Sequence, residues 1–231
     1  MTGDTMPRVA RFWNDIAWEF DSIYSGADKS AIGRALDRFF RKDMYQRFDW
    51  VMRRCGDVRG KSICDIGCGS GRFVTAFAQR EAGHVTGVDV AATMLRLARN
   101  LVEQDGVAER CDFVLSDVLN WKTPQTFDLT IAIGFWDYIA DPLERLRVIR
   151  GLTRGTFLSA WPRFWTWRML LRKIRLQYIQ GCPVYFYRKS EVLRMLEAAG
   201  FEVARCETVG KLFCVEARPK YGPRRLVADM S

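Results

Sequence analysis

The spacing of apolar residues along the chain predicts a regular alternation of strands and helices. From Ser62 onward, short apolar or β-branched runs alternate with segments in which apolar residues recur at helical spacing. The runs are SICDI, HVTGVDV, CDFVLSDV, FDLTIAI and TFLSA, and the helical patterns begin near Arg72, cover Ala92 to Glu103 and extend from Pro142 to about Arg150. Such an alternation predicts a parallel sheet covered by helices on both faces.

The last third of the pattern predicts a helix followed by two antiparallel strands. A helix is expected from Ser190 to Ala199, with Ser190 as its N-cap and Gly200 as its stop. The runs FEVARCETV and KLFCVEARP are separated only by Gly210, which suits a hairpin. The whole pattern therefore predicts a doubly wound α/β sheet of seven strands whose last strand is antiparallel.

The same pattern divides the chain into three parts. Residues 1–58 are expected to form a helical N-terminal cap, and residues 59–219 the core of the domain. Within that core, residues 161–188 are an aromatic and basic insertion after the fifth strand, which would cover the substrate. Residues 220–231 are expected to be a flexible tail, since they contain Gly222, Pro223 and two arginines.

Composition is that of an ordinary globular domain, with 231 residues of which 48% are hydrophobic and 27% charged. No stretch resembles a signal peptide or reaches the ~18 consecutive apolar residues of a membrane span, so we expect a cytoplasmic protein. Seven cysteines are scattered without a Cys-x-x-Cys pair, and there is one histidine. We therefore expect neither a disulfide framework nor a metal site.

The net charge of +9 is concentrated in one segment. From Trp161 to Lys189 there are seven basic residues and no acidic one. A helix from about Phe164 would carry apolar and basic residues on different faces, which suits peripheral contact with an anionic membrane, where each basic residue adds ~1 kcal/mol. The alternative is a helix that buries its apolar stripe against the sheet and leaves the basic side in water.

A glycine-rich loop follows the first predicted strand and opens the next helix. Its sequence is Asp65-Ile-Gly67-Cys68-Gly69-Ser-Gly71. The spacing Gly-x-Gly-x-Gly differs from the Gly-x-Gly-x-x-Gly of dinucleotide-binding proteins. A carboxylate at Asp65 would repel a pyrophosphate but would suit an ammonium group.

This loop resembles the first motif of the class I S-adenosylmethionine-dependent methyltransferases, which have a Rossmann-like fold. HVTGVDVAATML and SDV resemble the next two motifs of the family. The resemblance implies that S-adenosylmethionine is the cofactor, with Asp65 near its amino group, Asp89 on the ribose hydroxyls and Asp117 near the adenine amino group. The other cofactor-binding residues that it implies are Gly67, Cys68, Gly69, Val90, Met94, Val118, Ile133 and Phe135.

The segment after the fourth strand resembles the part of the family that borders the transferred methyl group. Many relatives of the ubiquinone-biosynthesis type carry a histidine pair there, whereas this chain has Asp137 and Tyr138. The only histidine, His84, begins the second strand, away from that position. Alignment of the acceptor with the methyl group can supply most of the catalysis in a methyl transfer. If a base takes part, Asp137 is the first candidate, with Tyr138 or Tyr24 orienting the acceptor; otherwise these residues only shape the pocket.

The insertion at 161–188 supplies the candidate substrate residues Trp161, Arg163, Trp167, Arg168 and Tyr178. Aromatic and basic side chains together favour a small-molecule acceptor that is hydrophobic, lipid-like or a large aromatic. The arrangement also resembles, more weakly, the magnesium-protoporphyrin O-methyltransferases, whose acceptor is a planar macrocycle.

Two alternatives to a small-molecule methyltransferase remain open from the residues. A nucleic-acid (RNA) methyltransferase would explain the charge and the aromatics, but the chain lacks an Asn-Pro-Pro-Tyr base-flipping motif. A non-catalytic cofactor-binding subunit would not need Asp137 or Tyr138. The motifs leave open which acceptor atom receives the methyl group and carry no signal for an oligomeric state.

Overall fold

The computed structural model describes residues 6–25, 44–164 and 182–220, with the side chains of residues 18–25 excepted. The helices are α1 (Met6–Ser25), α2 (44–54), α3 (Arg72–Gln79), α4 (Ala92–Gln104), α5 (Pro142–Leu152) and α6 (Lys189–Ala198). The strands are β1 (Ser62–Ile66), β2 (His84–Asp89), β3 (Cys111–Leu115), β4 (Phe127–Ile133), β5 (Thr153–Pro162), β6 (Phe201–Val209) and β7 (Leu212–Pro219). Two short 3-10 helices cover Ala108–Arg110 and Trp136–Tyr138.

The strands form one seven-stranded sheet in the order β3-β2-β1-β4-β5-β7-β6. The first five strands are parallel, and β7 runs antiparallel to both β5 and β6. The predicted fold is therefore confirmed, including its antiparallel last strand. Because the five parallel strands all end at one edge, the loops that follow them share a common surface, which is where open α/β sheets bind ligands.

Alternation along the strands divides the buried residues between the two faces of the sheet. Ile131 on β4 packs with Val74 of α3 and Leu95 of α4, whereas its neighbour Ala132 packs with Ile149 of α5 on the other face. Helix α2 joins the first face through Trp50, which is 1% exposed. The second helix of the predicted N-terminal cap is thus packed into the core.

The boundaries of the last elements correct one prediction and confirm another. Helix α6 begins at Lys189, so the prediction that Ser190 is its N-cap was wrong; instead the N–H of Arg188 donates to the carboxylate of Glu191 at 2.8 Å. Gly200 follows the helix with φ of 89°, and the hairpin turns at Gly210 with φ of 56°, both as expected. Both positions use the left-handed region that glycine adopts without strain.

Strand β5 is longer than predicted. It begins at Thr153 and continues through Pro162, and Trp161 and Pro162 pair in register with Phe213 and Leu212 of β7. The first residues assigned to the insertion therefore belong to the sheet. Among the described residues, no helix is long and apolar enough to cross a membrane.

Gly71 is expected to be essential to the packing of α3 on α4. It has φ of 78°, and a Cβ there would stand 2.7 Å from Cβ of Ala98. We expect Gly71→Ala to lower the free energy of unfolding by roughly 2–4 kcal/mol, since it combines backbone strain with overpacking. Gly106→Ala is the matched control, because Gly106 has φ of 68° with no atom within 4 Å of an added Cβ. Urea denaturation measures both, and equal losses would contradict this account of Gly71.

Candidate cofactor site

The glycine-rich loop turns tightly between β1 and α3. Gly67, Gly69 and Gly71 have φ of 73°, 53° and 78°, which glycine adopts far more readily than other residues. The loop is fastened to β2, since the N–H groups of Gly67 and Cys68 donate to the carbonyl of Val88 at 2.8 and 3.2 Å. A Cβ on Gly67 would lie 3.0 Å from the ring of Phe135. The loop is therefore packed between β2 and the segment that follows β4.

Asp89, at the end of β2, is bound to this loop by its side chain. Its Oδ2 accepts the N–H of Gly69 at 2.9 Å, and its Oδ1 accepts the N–H of Ala91 at 2.8 Å. An ionised carboxylate has about four lone-pair positions, so each oxygen can accept a further hydrogen bond. Apart from Gly69 and its two chain neighbours, no atom of the described residues lies within 4 Å of the position of a Cβ on Gly69. Asp89 thus retains acceptor capacity beside an open space.

Asp65 is a buried carboxyl group with an unused oxygen. It is 1% exposed, and its Oδ2 has no hydrogen-bond partner among the described residues. Burial, and to a lesser degree the negative charge of Asp89, raises the pKa of Asp65 to about 8. Because a buried carboxylate is stable only with a partner, this position suits the ammonium group of a ligand.

Arg47 of α2 was missed by the sequence analysis. One terminal nitrogen of its guanidinium lies 3.0 Å from the position that a Cβ on Gly134 would take, at the end of β4. The side chain is half-buried, and none of the described residues forms an ion pair with it. A half-buried cation and a buried carboxyl group thus lie at one edge of the sheet, and neither has an ion-pair partner in the described part of the chain. The only local signal was Gly134, whose φ of 76° and missing Cβ leave room for the guanidinium.

Asp117 is already engaged by a cation. Its Oδ2 accepts a hydrogen bond from Arg145 of α5 at 2.7 Å, with the two side chains 10% and 11% exposed, and its Oδ1 accepts the N–H of Leu119 at 3.1 Å. Any contact of Asp117 with an adenine amino group would have to share the carboxylate with Arg145. The ion pair also fixes the loop after β3 to α5.

The apolar residues that the resemblance assigned to the cofactor differ in exposure. Val90 and Phe135 are partly exposed, whereas Val118 and Ile133 are buried. Met94 is 1% exposed and packs beneath α1, in a cluster with Ala17. Helix α1 is held there by Asn14, whose side-chain oxygen accepts the N–H of Thr93 at 2.9 Å.

Aromatic rings pack against one another in and around the segment after β4. Trp136 stacks on Trp161 with ring centroids 4.0 Å apart and an angle of 9° between the planes. The hydroxyl of Tyr187 donates to the carbonyls of Ile139 at 2.5 Å and Trp136 at 3.2 Å. Burial raises the pKa of Tyr187 well above its ordinary value, so this hydroxyl remains a donor. Trp161, predicted to touch the substrate, is fully buried among these rings.

The candidate catalytic residues belong to the same segment after β4. Asp137 and Tyr138 are 5% and 8% exposed. The backbone carbonyl of Asp137 accepts the N–H of Tyr185 at 2.8 Å, and the ring of Tyr138 packs edge-on against Trp13 of α1, 5.6 Å away. The segment is therefore enclosed by α1 on one side and by residues 182–187 on another.

The remaining candidates are remote or lie outside the described part of the chain. Arg163 donates to the carbonyl of Gly210 at 3.3 Å and stands over the ring of Phe213, so it binds the hairpin turn. His84 lies at the opposite edge of the sheet, with Nε2 2.9 Å from a carboxylate oxygen of Asp112. The structure does not describe the side chains of Tyr24, Trp167, Arg168 and Tyr178.

The fold and these strand-end residues define a cofactor-binding α/β protein, and comparisons with known sequences identify the family. Residues 63–155 match the methyltransferase domain family. The ubiquinone biosynthesis O-methyltransferase of Pseudomonas aeruginosa is 30% identical over 166 residues, which cover 68% of this chain and 71% of the relative. The enzyme of the same name from Aeromonas salmonicida is 33% identical over 108 residues, which cover 47% of this chain and 45% of the relative.

Solved structures agree on the fold. The magnesium protoporphyrin IX methyltransferase of Synechocystis, crystallised with S-adenosylhomocysteine, has a TM-score of 0.73 at 17% identity and covers 91% of this chain and 98% of its own. This chain therefore belongs to the class I S-adenosylmethionine-dependent methyltransferases. The cofactor of that family is S-adenosylmethionine. The methyl acceptor of this chain is a small molecule.

The raised pKa of Asp65 predicts a falling stability as the pH rises. Between about pH 4 and 8 the unfolded chain has released this proton while the folded protein keeps it, so the free energy of unfolding decreases by up to ~1.4 kcal/mol per pH unit. Above about pH 8 both states are ionised, and the contribution becomes constant. Urea denaturation of the ligand-free protein across this range should show the slope. Asp65→Asn should be less steep, and an unchanged slope would contradict the assignment.

Proposed function

We propose that the chain transfers a methyl group from S-adenosylmethionine to an oxygen of a hydrophobic small molecule. The observation that carries this proposal is the unpartnered Oδ2 of the buried Asp65, next to a loop with open space at Gly69. The amino-acid end of the cofactor is a zwitterion, with an ammonium and a carboxylate on one carbon. Asp65 and Arg47, which form no ion pair within residues 44–164 and 182–220, place an acid and a base at one edge of the sheet and are complementary to it.

In this proposal three side chains bind the amino-acid end and the ribose of the cofactor. Asp65 accepts hydrogen bonds from the ammonium group, which stabilises the ionised form of the carboxyl. Arg47 binds the carboxylate, a geometry for which a guanidinium is well suited. Asp89 accepts from the two ribose hydroxyls with the lone pairs left by Gly69 and Ala91.

The adenine is proposed to lie beyond Asp89, between the ends of β2 and β3. Val90 is partly exposed at the end of β2, and Val118 is buried in the loop after β3. Asp117 is held by Arg145, so we assign it to the adenine amino group only through the lone pairs that the ion pair leaves free. Arg145 then fixes the orientation of that carboxylate.

Bound S-adenosylmethionine supplies a methyl group on a positively charged sulfur, which needs no further activation. The protein has to align the acceptor and exclude water. The enclosed position of Asp137 and Tyr138 supports this role for the segment after β4. Where the acceptor is a hydroxyl, we assign its proton to the carboxylate of Asp137, and the orientation of the acceptor to Tyr138.

The acceptor class follows from the surroundings of that segment. Trp13, Phe135 and Tyr138 supply aromatic surface there, and the similar sequences from Aeromonas and Pseudomonas are named as O-methyltransferases. We therefore assign an aromatic hydroxyl with apolar substituents. The basic segment from Trp161 to Lys189 would bring the protein to the anionic surface where such an acceptor is dissolved.

Calorimetric titration with S-adenosylhomocysteine tests the cofactor assignment. We expect binding to the wild type and a loss of affinity of at least roughly tenfold in Asp89→Ala, since two hydrogen bonds to the ribose would be lost. Asp112→Ala is the matched control, because this exposed carboxylate lies at the other end of the neighbouring strand. A folded wild type that does not bind the ligand would refute the proposed function.

Transfer of labelled methyl groups tests the acceptor. We expect label in a phenol that bears a long hydrocarbon tail, and faster turnover when the phenol is presented in anionic rather than neutral vesicles. Asp137→Asn should lower kcat by ~100-fold or more if the residue acts as a base. Magnesium protoporphyrin IX and tRNA are the competing acceptors. Label in either of these alone would refute the aromatic-hydroxyl assignment.

A further inference from the structure

Helix α2 is fastened to the sheet by one carboxylate, Glu207 of β6. The indole N–H of Trp50 donates to Oε2 of Glu207 at 3.0 Å, and the guanidinium of Arg54 donates to Oε1 at 2.6 Å. Arg205 donates to the same Oε1 at 3.2 Å. Glu207 thus accepts hydrogen bonds at both oxygens, two of them from α2.

The two residues of α2 that bind Glu207 share a helix face with Arg47. Residues 47, 50 and 54 are spaced i, i+3 and i+7, which places their side chains in one row along the helix. Arg47 stands at the end of β4 beside Gly134, and Trp50 lies about one turn further along. Because Trp50 is 1% exposed, its indole is fixed by packing as well as by the hydrogen bond.

Cys214, a buried residue of the sheet, is influenced by the charges of both Arg47 and Glu207. Cys214 on β7 pairs in register with Glu207 on β6 and with Ala160 on β5. Burial is the main cause that raises the pKa of the Cys214 thiol; Glu207 raises it further, and Arg47 lowers it. Arg47 and Glu207 therefore both act on one buried thiol, from different elements.

We propose that Glu207 is a positioning residue for cofactor recognition: by binding Trp50 and Arg54 it fixes α2 so that Arg47 meets the carboxylate of the cofactor. The inference rests on the proposed function, because it presupposes that Arg47 has this ligand. Glu207 itself touches no part of the cofactor in this proposal. Its loss should affect only ligands that carry the amino-acid arm.

Two ligands that differ in that arm test the proposal. S-adenosylhomocysteine carries the amino acid, and 5′-deoxy-5′-methylthioadenosine has a methyl group in its place. We expect Glu207→Gln to weaken S-adenosylhomocysteine by roughly tenfold and to leave methylthioadenosine unchanged. Glu202→Gln removes the same charge from an exposed position on the same strand and should change neither affinity. Trp50→Phe removes one hydrogen bond while keeping an aromatic ring, and should give a smaller effect with the same ligand selectivity.

A double-mutant cycle separates positioning from a general loss of structure. In the Arg47→Ala background, Glu207→Gln should weaken S-adenosylhomocysteine no further. Equal weakening of both ligands by Glu207→Gln and Trp50→Phe, or unchanged affinities in both variants, would overturn the positioning role. A wild type that binds neither ligand would instead overturn the proposed function, so the two failures are distinguishable.

Discussion

The hydrogen bond from Gly69 to Asp89 is the constraint on which the rest of the site depends. At 2.9 Å it ties the loop after β1 to the end of β2, and the backbone at Gly69 has a φ of 53°, which favours glycine. Burial is the main cause that raises the pKa of Asp65, and the negative charge of Asp89 raises it further. A cation beside Asp65 would stabilise the ionised carboxylate, and shifted pKa values of this kind are common at functional sites.

Other interactions hold the segment after β4, which lies on the proposed acceptor side of the site. Here the backbone after β4 is held by stacked indoles and by the Tyr187 hydroxyl, whose one proton is shared between the carbonyls of Ile139 and Trp136. The carbonyl of Trp136 also accepts the N–H of Ile139 at 3.3 Å. Asp137 is also held through its backbone carbonyl, which accepts the N–H of Tyr185, and Tyr138 through its ring, which packs against Trp13. Substitutions at Trp136 or Trp161 would therefore act on the chemistry indirectly, through the shape of the turn.

The sequence could predict contacts between residues of one local motif, but not contacts between segments that are distant in the chain. Asp65, the glycines and Asp89 lie within a strand-turn-helix pattern, so their order alone brought them together. Arg47 lies on a helix before the first strand, and only the packing of that helix on the sheet shows that it reaches Gly134. The prediction that Trp161 contacts the substrate depended on an insertion beginning at residue 161, whereas β5 continues through Pro162. In the longer strand it shares a face with Ser159, to whose hydroxyl its indole donates at 2.9 Å.

The two halves of the site need separate arguments, because one fold can host unrelated reactions. The strand-end loops can be shared because they bind the cofactor largely through backbone geometry and a few charges. The chemistry is decided by side chains that approach from outside the sheet, from α1, α2 and the segment after β4. For this chain those side chains are aromatic around Tyr138 and basic at Arg47, which supports the proposed apolar acceptor site and the proposed binding of the cofactor carboxylate by Arg47.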